Sequence, residues 1–315
     1  MDYLFLLIGL TMIILGANWL VNGASSIAKS YGISDLVIGL TIVGFGTSAP
    51  ELAINIYAAV KGSADIAIGN VLGSNIANIL LILGVSAIIY PLKVANSAKW
   101  KEIPISLLAI LVLAFFLNDS FFGFSANNSL SRLDGILLLV LMGAFLVYAF
   151  KSSKSEIITT EEVGKKIPLW KAIIMILIGL AGLFFGGQIF VDGAIGIARD
   201  LGMSERVIGL TIVAIGTSLP ELATSVVAAM KKKSDIAVGN VIGSNIFNVF
   251  FILGTTAVIS PLPFDPAANM DILVATVASL MLFMTTITFG RKIIDRIEGV
   301  IFLMVYVGYI TYLIY

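Results

Sequence analysis

Long apolar runs alternate along the chain with short stretches rich in charge, glycine and proline. The runs approach or exceed about 20 residues, the length a helix needs to cross a bilayer core of about 30 Å. Ten such helices are predicted, over residues 3–22, 34–60, 65–89, 101–117, 133–150, 169–197, 204–230, 235–259, 270–289 and 297–314. None is clearly amphipathic, as expected where lipid and neighbouring helices are both apolar. Residues 151–168, with Glu156, Glu161, Glu162 and several lysines, form the most polar interruption. They read as a solvated linker between a first unit, 1–150, and a second, 169–315. The start, Met1-Asp2-Tyr3, lacks a basic n-region and reads as the beginning of the first span rather than a cleaved leader.

The two units are copies of one another. Residues 34–92 align with 204–262 without a gap at an offset of 170, with 36 identities in 59 positions. Weaker matches continue upstream, where Gly16, Gly23 and Gly32 meet Gly186, Gly193 and Gly202. Each copy holds five spans. An odd number makes the second copy enter the membrane from the opposite side, so the copies should be related by a pseudo-two-fold axis in the membrane plane. The expected fold is therefore an all-α membrane protein of ten helices in two inverted five-helix repeats.

Composition supports the membrane reading. The chain is 59% hydrophobic and 12% charged, about half the charge of a soluble domain, where roughly 25% is usual. Mean hydropathy is +1.06. Net charge is zero and indicates no polyanionic partner; neither nucleic acid nor an obligatory protein partner is expected. There is no cysteine and no histidine, which excludes disulfides, thiolate zinc sites, cysteine nucleophiles and imidazole acid–base chemistry. No cofactor and no enzymatic activity are expected. Of the 19 basic residues, fifteen fall on one side of the ten-span topology and four on the other. The basic side is the cytoplasmic one. It includes the 151–168 linker and Lys231–Lys233, and it leaves both termini outside a plasma membrane.

Polar residues interrupt the apolar runs at matching places. The second span carries Gly46-Thr47-Ser48-Ala49-Pro50-Glu51, and its copy Gly216-Thr217-Ser218-Leu219-Pro220-Glu221. Proline removes a backbone donor and clashes with the preceding turn. A helix broken there leaves carbonyls free, which a membrane tolerates only where they face protein or line a cavity. Breaks are expected in spans two, three, seven and eight. Thr47, Ser48, Thr217 and Ser218 supply neutral oxygens, while Glu51 and Glu221 supply charged ones. That mixture suits hard cations such as Na+ or Ca2+. Two carboxylates at mid-membrane are costly unless a cation offsets them, and one Ca2+ or two Na+ would do so.

The third span carries Gly69-Asn70, Gly73-Ser74-Asn75 and Asn78, and the eighth Gly239-Asn240, Gly243-Ser244-Asn245 and Asn248. Ser74, Asn78, Ser244 and Asn248 are either cation ligands or helix–helix glue, with the ligand reading preferred. Asn70, Asn75, Asn240 and Asn245 read as packing or backbone-satisfying amides. The glycine pairs, four residues apart, suit close helix packing. Asp65 and Asp235 are expected as helix caps. Asn22 and Asp192, at matching span ends, fit packing and an ion entrance equally.

The segments GTSAPEL…GNVLGSNIAN and GTSLPEL…GNVIGSNIFN resemble the two alpha repeats of the cation/calcium exchanger superfamily, most closely its prokaryotic sodium/calcium exchangers. The resemblance implies exchange of cytoplasmic Ca2+ for inward Na+, commonly three Na+ per Ca2+. It implies ligand roles for Thr47, Ser48, Glu51, Ser74 and Asn78, and for Thr217, Ser218, Glu221, Ser244 and Asn248, with backbone carbonyls near Gly44 and Ala214. It also implies that spans one and six slide on a rigid core, a motion that Gly16, Gly23, Gly186 and Gly193 would suit. Some relatives, including the potassium-dependent branch, carry Asp where Asn248 stands. The proton/calcium branch places Glu where this chain has Gly73 and Gly243. A Ca2+/H+ or other divalent/Na+ exchanger is the nearest alternative, and a passive cation channel the alternative of another class.

Overall fold

In the computed structural model the described residues are 2–122, 128–153, 167–202, 214–288 and 292–314. They fold as helices α1 (Asp2–Tyr31), α2 (Asp35–Thr47), α3 (Ala49–Val60), α4 (Ala64–Ile89), α5 (Ala98–Leu117), α6 (Arg132–Ser152), α7 (Leu169–Asp200), α8 (Ala214–Thr217), α9 (Leu219–Met230), α10 (Ser234–Ile259), α11 (Pro266–Ile287) and α12 (Arg296–Leu313). Eight of these are long and apolar enough to span a membrane, and the bent pair α2–α3 makes a ninth. The start of the expected span 204–230 lies outside the described residues, and α8 and α9 are its remainder. Most of the 151–168 linker also falls outside them.

Two helices outrun their expected length. α1 has 30 residues and α7 has 32. At 1.5 Å per residue they reach about 45–48 Å, well over the hydrocarbon thickness of about 30 Å, so each must tilt or project. Residues 23–31 hold no proline, and the helix continues until Gly32 takes a positive φ of 62°. Gly202, its counterpart, ends α7 in the same way with φ 79°.

α2 and α3 meet at Ser48 (φ −84°, ψ 7°), and their axes bend by 45°. Pro50 lies in the first turn of α3, where its missing N–H costs least. α9 starts the same way, with Ser218 (φ −90°, ψ 7°) before Leu219-Pro220. The breaks expected in the third and eighth spans take a milder form. α4 and α10 run through as single helices, but each widens into a π-helical stretch, Asn78–Leu83 and Asn248–Leu253. Such insertions displace one backbone group from the regular ladder without severing the helix. Asp65 and Asp235 are not the N-caps expected of them. Ser63 and Lys233 hold those positions, and the aspartates sit two residues further on, in the first turn, where the helix dipole favours a negative charge.

α10 is the centre of the bundle, with 94% of its apolar window buried, against 28% for α7. Glycines allow its close approaches. A methyl group on Gly239 would lie 2.7 Å from the Leu36 carbonyl oxygen, and one on Gly243 would lie 2.5 Å from that of Leu40. α4 crosses α12 at Gly84 and Gly299, while α10 crosses α6 at Gly254 and Gly135. Each half's third helix therefore packs on the other half's last one. Two short antiparallel ladders repeat the exchange, Leu92–Lys93 with Ile293–Ile294 and Ser129–Leu130 with Leu262–Pro263.

α1 and α7 lie antiparallel along a seam of glycines spaced by seven, Gly9, Gly16 and Gly23 against Gly186, Gly179 and Ala172. Gly193 closes the row against the backbone of Asp2 and Leu6. Gly16, Gly23, Gly186 and Gly193 therefore face the partner long helix, not the rest of the bundle. On the bundle side the order is reversed: Gly46 and Gly216 belong to the core helices and meet the side chains of Leu180 and Val191 on α7.

Candidate functional site

The bend at Ser48 and the start of α9 bring Glu51 and Glu221 into the bundle centre, each with no solvent exposure. Thr47, Ser48, Ser74, Asn78, Ser218, Ser244 and Asn248 are buried around them, and Thr217 is half-buried. The halves interlock here. Ser48 Oγ donates to Glu221 Oε1 at 3.1 Å, and Ser218 Oγ lies 3.4 Å from Ser74 Oγ. The Gly44 carbonyl accepts from Ser244 Oγ and Thr47 Oγ1, both at 3.4 Å. Ala214 is the first described residue of α8, and its side chain lies outside the description.

The unpaired atoms decide the site's chemistry. Buried side-chain atoms without a hydrogen-bond partner include Glu51 Oε1 and Oε2, Glu221 Oε2, Asn78 Oδ1 and Asn248 Oδ1. All five are oxygens, two of them from neutral amides and three from carboxylates. Leaving buried acceptors unmet costs about 1–3 kcal/mol each, more when charged. A bound cation would supply the positive charge that ionised carboxylates and amide oxygens without a donor require. The donor set, oxygen throughout with no sulfur or imidazole, fits a hard ion such as Na+ or Ca2+. Among the described residues no group of three acidic side chains converges, so the site's formal charge comes from two carboxylates.

Supporting residues surround the glutamates; the sequence pattern does not single out Asn55 and Ser225, whereas Asn240 satisfies backbone as expected. Asn55, one helical turn after Glu51, is fully buried; its Nδ2 donates to the Glu51 carbonyl at 2.9 Å and its Oδ1 is unmet. In the other half Asn240 donates to the Glu221 carbonyl at 3.3 Å and to Ser225 Oγ at 2.9 Å, and accepts from Thr47 Oγ1 at 3.1 Å. The sequence signal for Asn55 and Ser225 was their i+4 spacing from the glutamates, which places them on the same helix face. A cavity of about 460 Å³, walled by Ile42, Phe45, Leu180 and Phe184, reaches Thr47 from the side of α7. Asn22, near the end of α1, accepts from Lys231 Nζ at 2.7 Å. Burial pulls that ammonium below the usual lysine range. Asp192 is exposed.

Comparison with known proteins identifies the family and the fold. Residues 1–151 and 171–315 match the family described as sodium/calcium exchanger protein. The chain belongs to that family. It is 35% identical to the sodium/calcium exchanger MaX1 of Methanosarcina acetivorans over 349 residues, covering 100% of this chain and 99% of that one. A solved structure of the sodium-calcium exchanger NCX_Mj superposes with a TM-score of 0.84 at 35% identity, covering 98% of this chain and 97% of that one. The Ca(2+)/H(+) antiporter ChaA of Bacillus subtilis is more distant, 26% identical over 291 residues, with 85% of this chain and 80% of that one covered. The chain is thus a multi-pass, all-helical membrane protein of an exchanger family.

Proposed function

We propose that the chain is a Na+/Ca2+ antiporter of the cell membrane, working by alternating access. Glu51 and Glu221 supply the charged ligands. Thr47, Ser48, Ser74 and Asn78, with Thr217, Ser218, Ser244 and Asn248, supply neutral oxygens, and the carbonyls of Gly44 and Ala214 complete the set. The observation that carries this reading is the set of five unmet, buried oxygens on Glu51, Glu221, Asn78 and Asn248. Two carboxylates match one Ca2+ or two Na+ in charge. A Ca2+ load, or a Na+ load of two or more ions, therefore offsets the charge that an empty site leaves bare in the low-dielectric core.

The architecture in this reading is ten spans, as two inverted copies over 1–150 and 169–315. Glycine crossings, short ladders and site residues that recur at or near the 170 offset support it. The 151–168 linker lies in the cytoplasm and both termini outside, as the basic residues indicate. Exchange of three Na+ for one Ca2+ would move one net charge, worth about 2.3 kcal/mol per 100 mV. An inside-negative potential would then drive Ca2+ out.

The test is Ca2+ uptake into vesicles containing the purified chain and loaded with Na+. The reading expects uptake that follows the outward Na+ gradient and accelerates when the vesicle interior is made positive. Uptake driven by a pH gradient alone would replace Na+ by H+ as the counter-ion. Conductance without a counter-ion would make the chain a channel.

A further inference from the structure

Four buried asparagines form a crossed ring between the halves. Asn75 Nδ2 donates to the Asn245 backbone carbonyl at 3.3 Å, and Asn245 Nδ2 donates to the Asn75 carbonyl at 3.3 Å. Asn78 Nδ2 donates to Asn245 Oδ1 at 2.9 Å, and Asn248 Nδ2 to Asn75 Oδ1 at 2.9 Å. A side-chain amide is nearly isosteric on exchange of its oxygen and nitrogen, so packing alone does not choose which end faces the site. Here the choice is forced. A backbone carbonyl only accepts, so Asn75 and Asn245 must each turn Nδ2 towards the other's main chain. Their Oδ1 atoms then face Asn248 and Asn78. An amide oxygen also only accepts, so Asn248 and Asn78 must offer Nδ2. What remains is Oδ1 of Asn78 and Oδ1 of Asn248, both buried and both without a partner.

We propose that Asn75 and Asn245 are positioning residues, a crossed clamp that makes Asn248 and Asn78 present oxygen rather than NH2 to the transported cation. The inference rests on the ligand roles given above to Asn78 and Asn248. The clamp is anchored on main-chain carbonyls, which cannot reverse their polarity. It also works across the halves: Asn75 on α4 sets the amide of α10, and Asn245 on α10 sets that of α4. Ser74 Oγ also accepts from Asn248 Nδ2 at 3.2 Å, but a hydroxyl can donate as well as accept and so does not fix the amide's sense. Without the clamp, Asn248 can turn its NH2 inward, and a contact that attracts the cation becomes one that repels it.

The test is Ca2+ titration calorimetry on the full-length purified protein, with ion-free melting of each variant recorded alongside. Asn75→Ala should weaken Ca2+ binding by about tenfold or more, the factor expected when one ion–dipole contact is lost. Aspartate at 248 offers oxygen whichever way it turns. In an Asn248→Asp background Asn75→Ala should therefore change affinity by less than about threefold, a departure from additivity larger than independent sites show. In an Asn78→Asp background the loss of about tenfold or more should persist. Asn245→Ala should show the mirror pattern, silenced by Asn78→Asp and not by Asn248→Asp. If an alanine protein does not fold, Asn75→Ser or Asn245→Ser repeats the test, since serine is too short to reach both partners. Equal losses in every background would mean that the asparagines only pack, and would overturn the clamp. Failure of the unmodified protein to bind Ca2+, or binding unchanged in Glu51→Gln, would instead sink the exchange reading.

Discussion

Glu51→Gln offers the sharpest test of the site, because it should move two stabilities in opposite directions. Glu51 is fully buried and neither of its carboxylate oxygens has a partner. Without a cation it is a burden on the fold, shared with Glu221. The glutamine amide brings a donor into a cluster of unmet acceptors, so the ion-free variant should melt higher than the ion-free parent. The ion-bound comparison reverses. At Ca2+ one hundred times its dissociation constant, binding stabilises the parent by about 2.7 kcal/mol. At roughly 2–4 °C per kcal/mol, that is a rise of about 5–10 °C. Removing one charge leaves a divalent ion uncompensated by one unit at mid-membrane, a cost of about 2.5–3.5 kcal/mol and hence about a hundredfold loss of affinity. The same Ca2+ concentration then equals the new dissociation constant and stabilises by only about 0.4 kcal/mol, a rise of roughly 1–2 °C. Melting in detergent, with and without Ca2+, reads both effects. A lower ion-free melting temperature, or an undiminished Ca2+ shift, would refute the assignment of Glu51 as a charged ligand.

Other expectations follow from packing and backbone geometry. A methyl group on Gly16 would sit 2.7 Å from the Gly179 carbonyl oxygen, which no rotamer change can relieve, whereas one on Gly187 meets no described atom within 4 Å. Gly16→Ala should cost about 1–3 kcal/mol of overpacking, against a helix gain of about 0.5–1 kcal/mol common to both variants. Melting should therefore rank Gly16→Ala below Gly187→Ala. Lys232 holds φ 59° where its counterpart Gly62 has φ 75°; Lys232→Gly should stabilise the protein by about 1 kcal/mol by relieving a left-handed non-glycine residue, again read by melting. Asp35→Asn breaks the 3.2 Å pair with Lys233, whose side chains are 31% and 23% exposed on the lysine and aspartate; the loss should stay within about 1 kcal/mol and shrink in high salt. Single cysteines at Ser155 and Tyr315, in a chain with none of its own, should react with an impermeant thiol reagent from opposite sides of the cell membrane.

The sequence is most legible where chemistry is local. Apolar runs mark the spans because lipid demands them, and Pro50 beside Glu51 marks both the bend and the charge it carries inward. The gapless repeat pairs Glu51 with Glu221 before any geometry is known. What stays hidden depends on contacts between distant segments. Asn78 and Asn248 open π-helical stretches that nothing in their neighbours requires, because both amides are held by the opposite half. Asn75 and Asn245 resemble ordinary packing amides until each is seen to donate to the other's main-chain carbonyl. The seven-residue spacing of Gly9, Gly16 and Gly23 is visible along the chain, but its partner is another glycine row, and that pairing cannot be read from either row alone. Asp65 and Asp235 show a different limit: residue type favours a cap, yet the chain turns into helix two residues earlier, at Ser63 and Lys233.

The seam between α1 and α7 also restricts how the two can move. Its small residues recur every seven positions, so the next matching register lies about 10.5 Å away along the axis. A slip of three or four residues would set Ile13 or Leu20 where Gly16 now rests on the Gly179 backbone. No small step between the two helices is open. Any sliding of the pair across the membrane would then take place on the bundle side of α7, where Leu180 and Val191 meet Gly46 and Gly216. Those glycines lie beside Thr47 and Thr217, so such a sliding surface and the proposed ligands would be neighbours on the same turn of helix.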